Sequence, residues 1–157
     1  MTIQLKRTDS SDPDFAFLVR LLDADLAERD GPEHAFYNQF NAITHIKHAI
    51  VAYENEKPLG CGAIREFDER SMEVKRMYVL PESRGKQIAT KVLAELEKWA
   101  QELSYARCVL ETGAKQPEAI ALYEKNNYSR IPNYGQYLNV ANSVCFEKWL
   151  QPVESPQ

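Results

Sequence analysis

Arg84-Gly85-Lys86-Gln87-Ile88-Ala89 follows an extended apolar run, Met77-Tyr78-Val79-Leu80-Pro81, and opens an amphipathic stretch. A strand, a short basic turn and a helix start with small residues together make a corner suited to phosphate. The first amides of a helix have no internal partner and sit at the positive end of its dipole. Backbone groups alone can therefore hold an anion there. Basic residues at a helix start oppose the dipole, so Arg84 and Lys86 fit an anion-holding turn better than an idle one. The periodicity predicts a helix over 86–103, with Ile88, Val92, Leu93, Leu96, Trp99, Ala100 and Leu103 as its buried stripe. Gln87 falls inside the predicted helix start, so helical dihedrals are expected for it.

Outward from this corner, strands and helices alternate. Ile3 to Arg7 reads as a strand. Asp9, Ser10 and Asp12 offer N-caps to a helix near 13–28 that aligns Phe15, Leu18, Leu22 and Leu26 on one face. Asp30-Gly31-Pro32 ends it. Residues 33–47 read as a polar connector containing aromatics. Ala49 to Tyr53 and Leu59 to Phe67 form a hairpin about a turn at 54–57, and Met72 to Leu80 a third strand. Cys108 to Thr112 is a strand, Pro117 to Lys125 a helix with proline in its first turn, and roughly 128–150 two strands around a loop. The order predicts a mixed α/β fold on one central sheet. With 157 residues and 44% hydrophobic composition, a single domain over 1–150 with a tail at 151–157 is expected.

A formal net charge of −4 argues against nucleic acid as a partner. No window approaches the roughly 18 apolar residues of a membrane span, and no signal-peptide pattern opens the chain, so a cytoplasmic protein is expected. Cys61, Cys108 and Cys145 are scattered in strand-like runs and read as reduced, buried thiols. They form no zinc pattern with His34, His45 and His48, so no metal is expected. His45 and His48 would share a face only if their segment were helical. The sequence leaves a homodimer open.

These segments resemble the GNAT family of acyl-CoA-dependent N-acetyltransferases over nearly the whole chain. The family's phosphate motif is Arg or Gln, two residues, Gly, one residue, then Gly or Ala. Arg84 and Ala89 match it, while Gln87 stands where Gly belongs. Ala119-Ile120-Ala121-Leu122-Tyr123-Glu124-Lys125-Asn126-Asn127-Tyr128 is similar to the family's second segment. Just before it Gln116 replaces the usual Asn, and within it Asn127 replaces the usual Gly. Asn is the mildest substitute at a left-handed helix C-cap. The resemblance implies a mostly antiparallel central sheet with helices on both faces, splayed between two central strands, here those ending at Val79 and Thr112.

It also implies acetyl-CoA as cosubstrate and a small-molecule or peptide amine as acceptor. Arg84, Gly85, Lys86, Gln87, Ile88 and Ala89 would hold the pyrophosphate, with Met77, Val79 and Gln116 along the rest of the cofactor. The amide of Val79 would face the thioester oxygen. Glu73 is the candidate base and Glu111 a lesser one. By strict alternation Glu73 shares a face with Lys75, Met77 and Val79. An ion pair with Lys75 or Arg65 is its competing role. Tyr123 is the candidate acid, because a phenol with pKa ~10 suits a thiolate leaving group. Packing on an amphipathic helix is its competing role. Phe36, Tyr37, Asn38, Tyr134 and Tyr137 are acceptor-pocket candidates or packed loop residues. Two other readings stay open: a non-catalytic acyl-CoA-binding or sensing module, and a protein acetyltransferase acting in a complex.

Overall fold

A computed structural model of the chain describes residues 2–30 and 45–151. In order they form β1 (Gln4–Thr8), α1 (Pro13–Asp30), β2 (His48–Glu54), β3 (Lys57–Asp68), β4 (Ser71–Val79) and a 3₁₀ turn (Pro81–Ser83). Then come α2 (Ile88–Glu102), β5 (Arg107–Gly113), α3 (Pro117–Lys125), β6 (Ser129–Ile131), a second 3₁₀ turn (Gly135–Tyr137) and β7 (Ser143–Trp149). The strands make one seven-stranded sheet in the order β1-β2-β3-β4-β5-β7-β6. The β4–β5 pair is parallel, while β1–β2, β2–β3, β5–β7 and β6–β7 are antiparallel. This is the mixed α/β class that the element order predicted, mostly antiparallel as the resemblance implied. The chain divides into two compact units, one of residues 1–65 with 75–96 and one of 66–74 with 97–157.

In the first unit, Asp12 starts α1 as the sequence suggested. Its Oδ1 accepts from the amides of Asp14 at 2.8 Å and Phe15 at 3.2 Å, which satisfies two orphan donors of the first turn. Lys6 Nζ lies 2.6 Å from its other oxygen. Phe15 and Leu18 are fully buried beneath the cap. The β2–β3 turn places both Asn55 and Glu56 at positive φ, 50° and 66°, the pairing that matches strand twist in a two-residue hairpin. Helix α2 packs very close to β3. A Cβ at Gly62 would fall 2.4 Å from Met77 Sδ and 2.9 Å from Leu96 Cδ1, so only glycine lets the helix approach. Arg76 lies in mid-β4 with φ 61°. A left-handed residue inside a strand marks a bulge and costs ~1–2 kcal/mol for a non-glycine. The bulge resets the strand's phase, so strict two-residue alternation does not carry from Glu73 through to Met77 and Val79.

The second unit is built on β5, whose Cys108, Val109 and Leu110 are buried. Its ladder to β4 has three pairs, Ser71 with Arg107, Met72 with Cys108 and Glu73 with Val109. Its ladder to β7 runs the whole way from Arg107–Trp149 to Gly113–Ser143. Helix α3 ends where Asn127 takes φ 72°. The amide of Tyr128 bonds the carbonyl of Tyr123 at 3.0 Å and that of Asn127 the carbonyl of Glu124 at 3.2 Å. This is a complete Schellman cap, with Asn doing what Gly usually does. Ser104, φ 72°, ends α2 the same way, and Leu103 falls past the helix and is exposed rather than in the buried stripe. His45 lies in a turn and His48 in β2, so the two share no helix face.

Candidate active site

The corner at 84–89 belongs to the first unit. Arg84, Gly85, Lys86 and Gln87 are exposed, Ile88 is buried and Ala89 half-buried. Gln87 corrects the sequence expectation: its φ is +63°, so it is left-handed and α2 begins one residue later. Gly85 is left-handed too, φ +82°, whereas Lys86 between them is not. Left-handed residues in a turn can aim neighbouring amides toward one side, the geometry from which anion-binding nests are made. The first backbone bond of α2 runs from Lys91 N to Gln87 O at 3.1 Å, so the amides of Ile88 and Ala89 precede any helical carbonyl they could donate to. A Cβ built on Gly85 meets nothing within 4 Å. Glycine is needed there for its dihedral and not for space.

The strand end beneath the corner is clamped. Arg84 Nε donates to the carbonyl of Val79 at 3.0 Å, and its guanidinium lies 5.6 Å from the ring centroid of Tyr78. The amide of Leu80 donates to Leu59 O at 2.8 Å. One peptide unit, Val79–Leu80, is thus pinned at both its oxygen and its nitrogen. Met77 is packed under α2 and Val79 is buried.

Glu73, Tyr123 and Tyr134 belong to the second unit. Glu73 is 1% exposed, and Tyr134 donates its hydroxyl to Glu73 Oε2 at 2.6 Å. Two rings hold Tyr134 in place, Phe67 at 4.8 Å and Tyr137 at 5.8 Å between centroids. The next residue, Gly135, has φ +51°, which turns the chain into the second 3₁₀ turn directly after Tyr134. Burial, with the Glu73 charge behind it, pushes the Tyr134 phenol far above its ordinary range. It stays a donor at any working pH. Tyr137 is core, 1% exposed. Nothing in the spacing announced the Tyr134–Glu73 bond, because its members lie 61 residues apart. Glu111, the lesser candidate, accepts from Ser143 Oγ at 2.6 Å.

Tyr123 is buried on α3, in edge contact with Tyr128 at 5.7 Å and tilted against Phe146 at 6.0 Å. Burial raises its phenol well above 10, with a smaller push from Glu111. It is therefore a fully protonated donor rather than a base. Gln116 stands at the N-cap of α3 and makes no side-chain capping bond, which leaves its amide uncommitted to the helix. Burial pushes the thiols of Cys61 and Cys108 up to about 12 and that of Cys145 to about 11. All three are free and buried, so none is a nucleophile at neutral pH. Phe36, Tyr37 and Asn38 lie outside the described residues. Among the described residues no group of His, Cys, Asp and Glu is placed to hold a metal, and no helix is long and apolar enough to cross a membrane.

The model of the acetyltransferase (GNAT) family matches residues 15–128. The chain belongs to the GNAT family. It is 38% identical over 100 residues to an IAA acetyltransferase from Azospirillum brasilense, a match covering 63% of this chain and 65% of that one. It is 39% identical over 84 residues to the uncharacterized N-acetyltransferase YjgM of Escherichia coli, covering 52% of this chain and 50% of the relative. The chain thus spans between half and two thirds of these relatives' lengths. Among solved structures, a putative acyl-CoA N-acyltransferase from Klebsiella pneumoniae superposes with a TM-score of 0.80 at 29% identity, covering 96% of this chain and 99% of that one. A PaiA N-acetyltransferase from Thermoplasma acidophilum, solved with coenzyme A, shares the fold with a TM-score of 0.71 at 17% identity, covering 95% and 99%.

Proposed function

We propose that this GNAT protein is an acetyl-CoA-dependent N-acetyltransferase that acts on a primary amine of a small molecule or peptide by direct attack. The observation that carries the reading is the turn with left-handed Gly85 and Gln87 set against the first amides of α2, those of Ile88 and Ala89. It is exposed and carries the charges of Arg84 and Lys86. Those residues suit the diphosphate of coenzyme A, whose thioester supplies an activated acetyl group when bound. The Gly-to-Gln departure at 87 does not count against this fit. The backbone already holds the left-handed conformation, so its cost falls on folding and not on binding.

Residue roles follow from chemistry. The amides and charges of 84–89 bind the diphosphate. The clamp on Val79–Leu80 holds the end of β4 rigid, and by family resemblance the Val79 amide faces the thioester oxygen. A donor in that role is worth ~3–4 kcal/mol in other enzymes. Attack by an amine requires its lone pair. Glu73, the buried carboxylate oriented by Tyr134, takes the ammonium proton. The leaving thiolate needs a proton, and Tyr123, held neutral by burial, is the donor. Tyr134 moves from acceptor-pocket candidate to the residue that orients Glu73.

A panel of primary amines incubated with the protein and acetyl-CoA, read by release of free thiol, tests the reading. Amine-dependent release matched by acetylated amine is the predicted result. Acetyl-CoA binding without turnover on any amine would instead make the protein an acyl-CoA-binding module.

A further inference from the structure

Arg76 is the one buried side chain among the described residues whose polar atom lacks a partner: its Nε is sealed from solvent and nothing accepts from it. The side chain is only 4% exposed. Its Nη1 donates to Asp23 Oδ1 on α1 at 2.8 Å, which neutralises the charge but uses the far side of the guanidinium. A buried donor left unbonded forfeits its hydration with no return. The backbone makes the position costlier still, with φ 61° in mid-strand. Strain and an unmet donor at one residue point toward function rather than stability.

The edge of the guanidinium that Asp23 does not use is the planar fork that grips a carboxylate with two parallel hydrogen bonds. The surroundings select the size of the anion. Asp23 already balances the arginine. A phosphate dianion would bring two further charges against that aspartate, whereas a single carboxylate adds one charge and fills two donors. Lys75 to Val79 of the same unit carry the strand end assigned to the thioester.

We propose that Arg76 holds a carboxylate of the acceptor, so that the substrate class is amino acids or similar amine-carboxylates. This rests on the acetyltransferase reading and narrows it. The test compares α-, β- and γ-amino acids, each with its own carboxamide, as thermal-shift ligands of the protein saturated with coenzyme A and as acceptors by thiol release. The prediction is that at least one carboxylate raises Tm where its carboxamide does not, with a KM advantage of at least about tenfold. Arg76→Lys should abolish that difference while its acetyl-CoA shift stays at the wild-type value. Asp23→Asn, which frees the guanidinium without removing it, should widen the difference. Equal behaviour of every acid and its carboxamide in the wild type overturns the proposal, as does a preference that survives Arg76→Lys. Should Arg76→Lys not fold, a preference that narrows in Asp23→Asn overturns it too. Failure of the parent reading looks different: acetyl-CoA alone would then shift nothing, whatever the carboxylates do.

Discussion

The 84–89 corner and the Glu73 cluster are built on opposite principles. The corner is exposed, is made of backbone, and tolerates Gln87 where its family carries glycine. The cluster is made of side chains, a half-buried phenol bonded to a buried carboxylate. A backbone site asks for dihedrals, and several residues can supply them at modest cost. A side-chain site asks for particular atoms. Substitutions in the cluster should therefore cost turnover and spare cofactor binding, while substitutions of single side chains in the corner should cost little.

The largest effects fall on Tyr123 and Glu73, both of the second unit. Tyr123→Phe and Glu73→Gln should each lower kcat by ~10²–10⁴ with the acetyl-CoA Kd unchanged, as read by steady-state kinetics and titration. A weakened Kd with intact kcat would reverse the assignment. Next comes Tyr134→Phe, which leaves the buried Glu73 short of a donor. It should cost about 1–3 kcal/mol of stability, a Tm loss of several degrees, along with part of kcat. An unchanged Tm would mean that the 2.6 Å bond is replaced by solvent.

The cap of α1 gives a smaller, pH-dependent effect away from both regions. Burial disfavours the Asp12 charge, but Lys6, the amides of Phe15 and Asp14, and Thr8 outweigh it and hold the carboxyl below its ordinary range. A depressed folded-state pKa adds stability above the unfolded value of ~3.9 and loses it as pH falls through the folded value. Asp12→Asn keeps a capping oxygen and should remove that acid-side slope, on the order of 1 kcal/mol because Lys6 is half exposed. Denaturation midpoints between neutral and acid pH measure it. Smallest is Gln87→Gly. Relief of the left-handed Cβ should add up to about 1 kcal/mol, or about 2–4 °C in Tm, offset by the greater freedom of the unfolded chain. Acetyl-CoA affinity should stay within about threefold. A large gain in affinity would show that the Gln87 side chain obstructs the corner.

The same contrast decides what could be read from the sequence. Local signals were legible: the Asp12 cap, the hairpin about Asn55-Glu56, the α2 stripe and the left-handed Asn127 each depend on residues a few positions apart. The dihedral of Gln87 was not, because a residue's type biases φ without fixing it, and here the turn overrode the helix. Leu103 carried the right period but fell beyond a helix that Ser104 ended. The bulge at Arg76 left no mark, since arginine is not a residue that advertises positive φ. The Glu73–Tyr134 bond joins a strand to a distant loop, and only the folded chain reveals it.

Cofactor binding and chemistry are proposed to fall on different residues, and a paired thermal-shift measurement with acetyl-CoA tests that separation most directly. At 100 times Kd the ligand should add ~2.7 kcal/mol, roughly 5–11 °C for a chain of this length, equally in the wild type and in Tyr123→Phe. No shift in the wild type, or a shift lost in Tyr123→Phe, would contradict it.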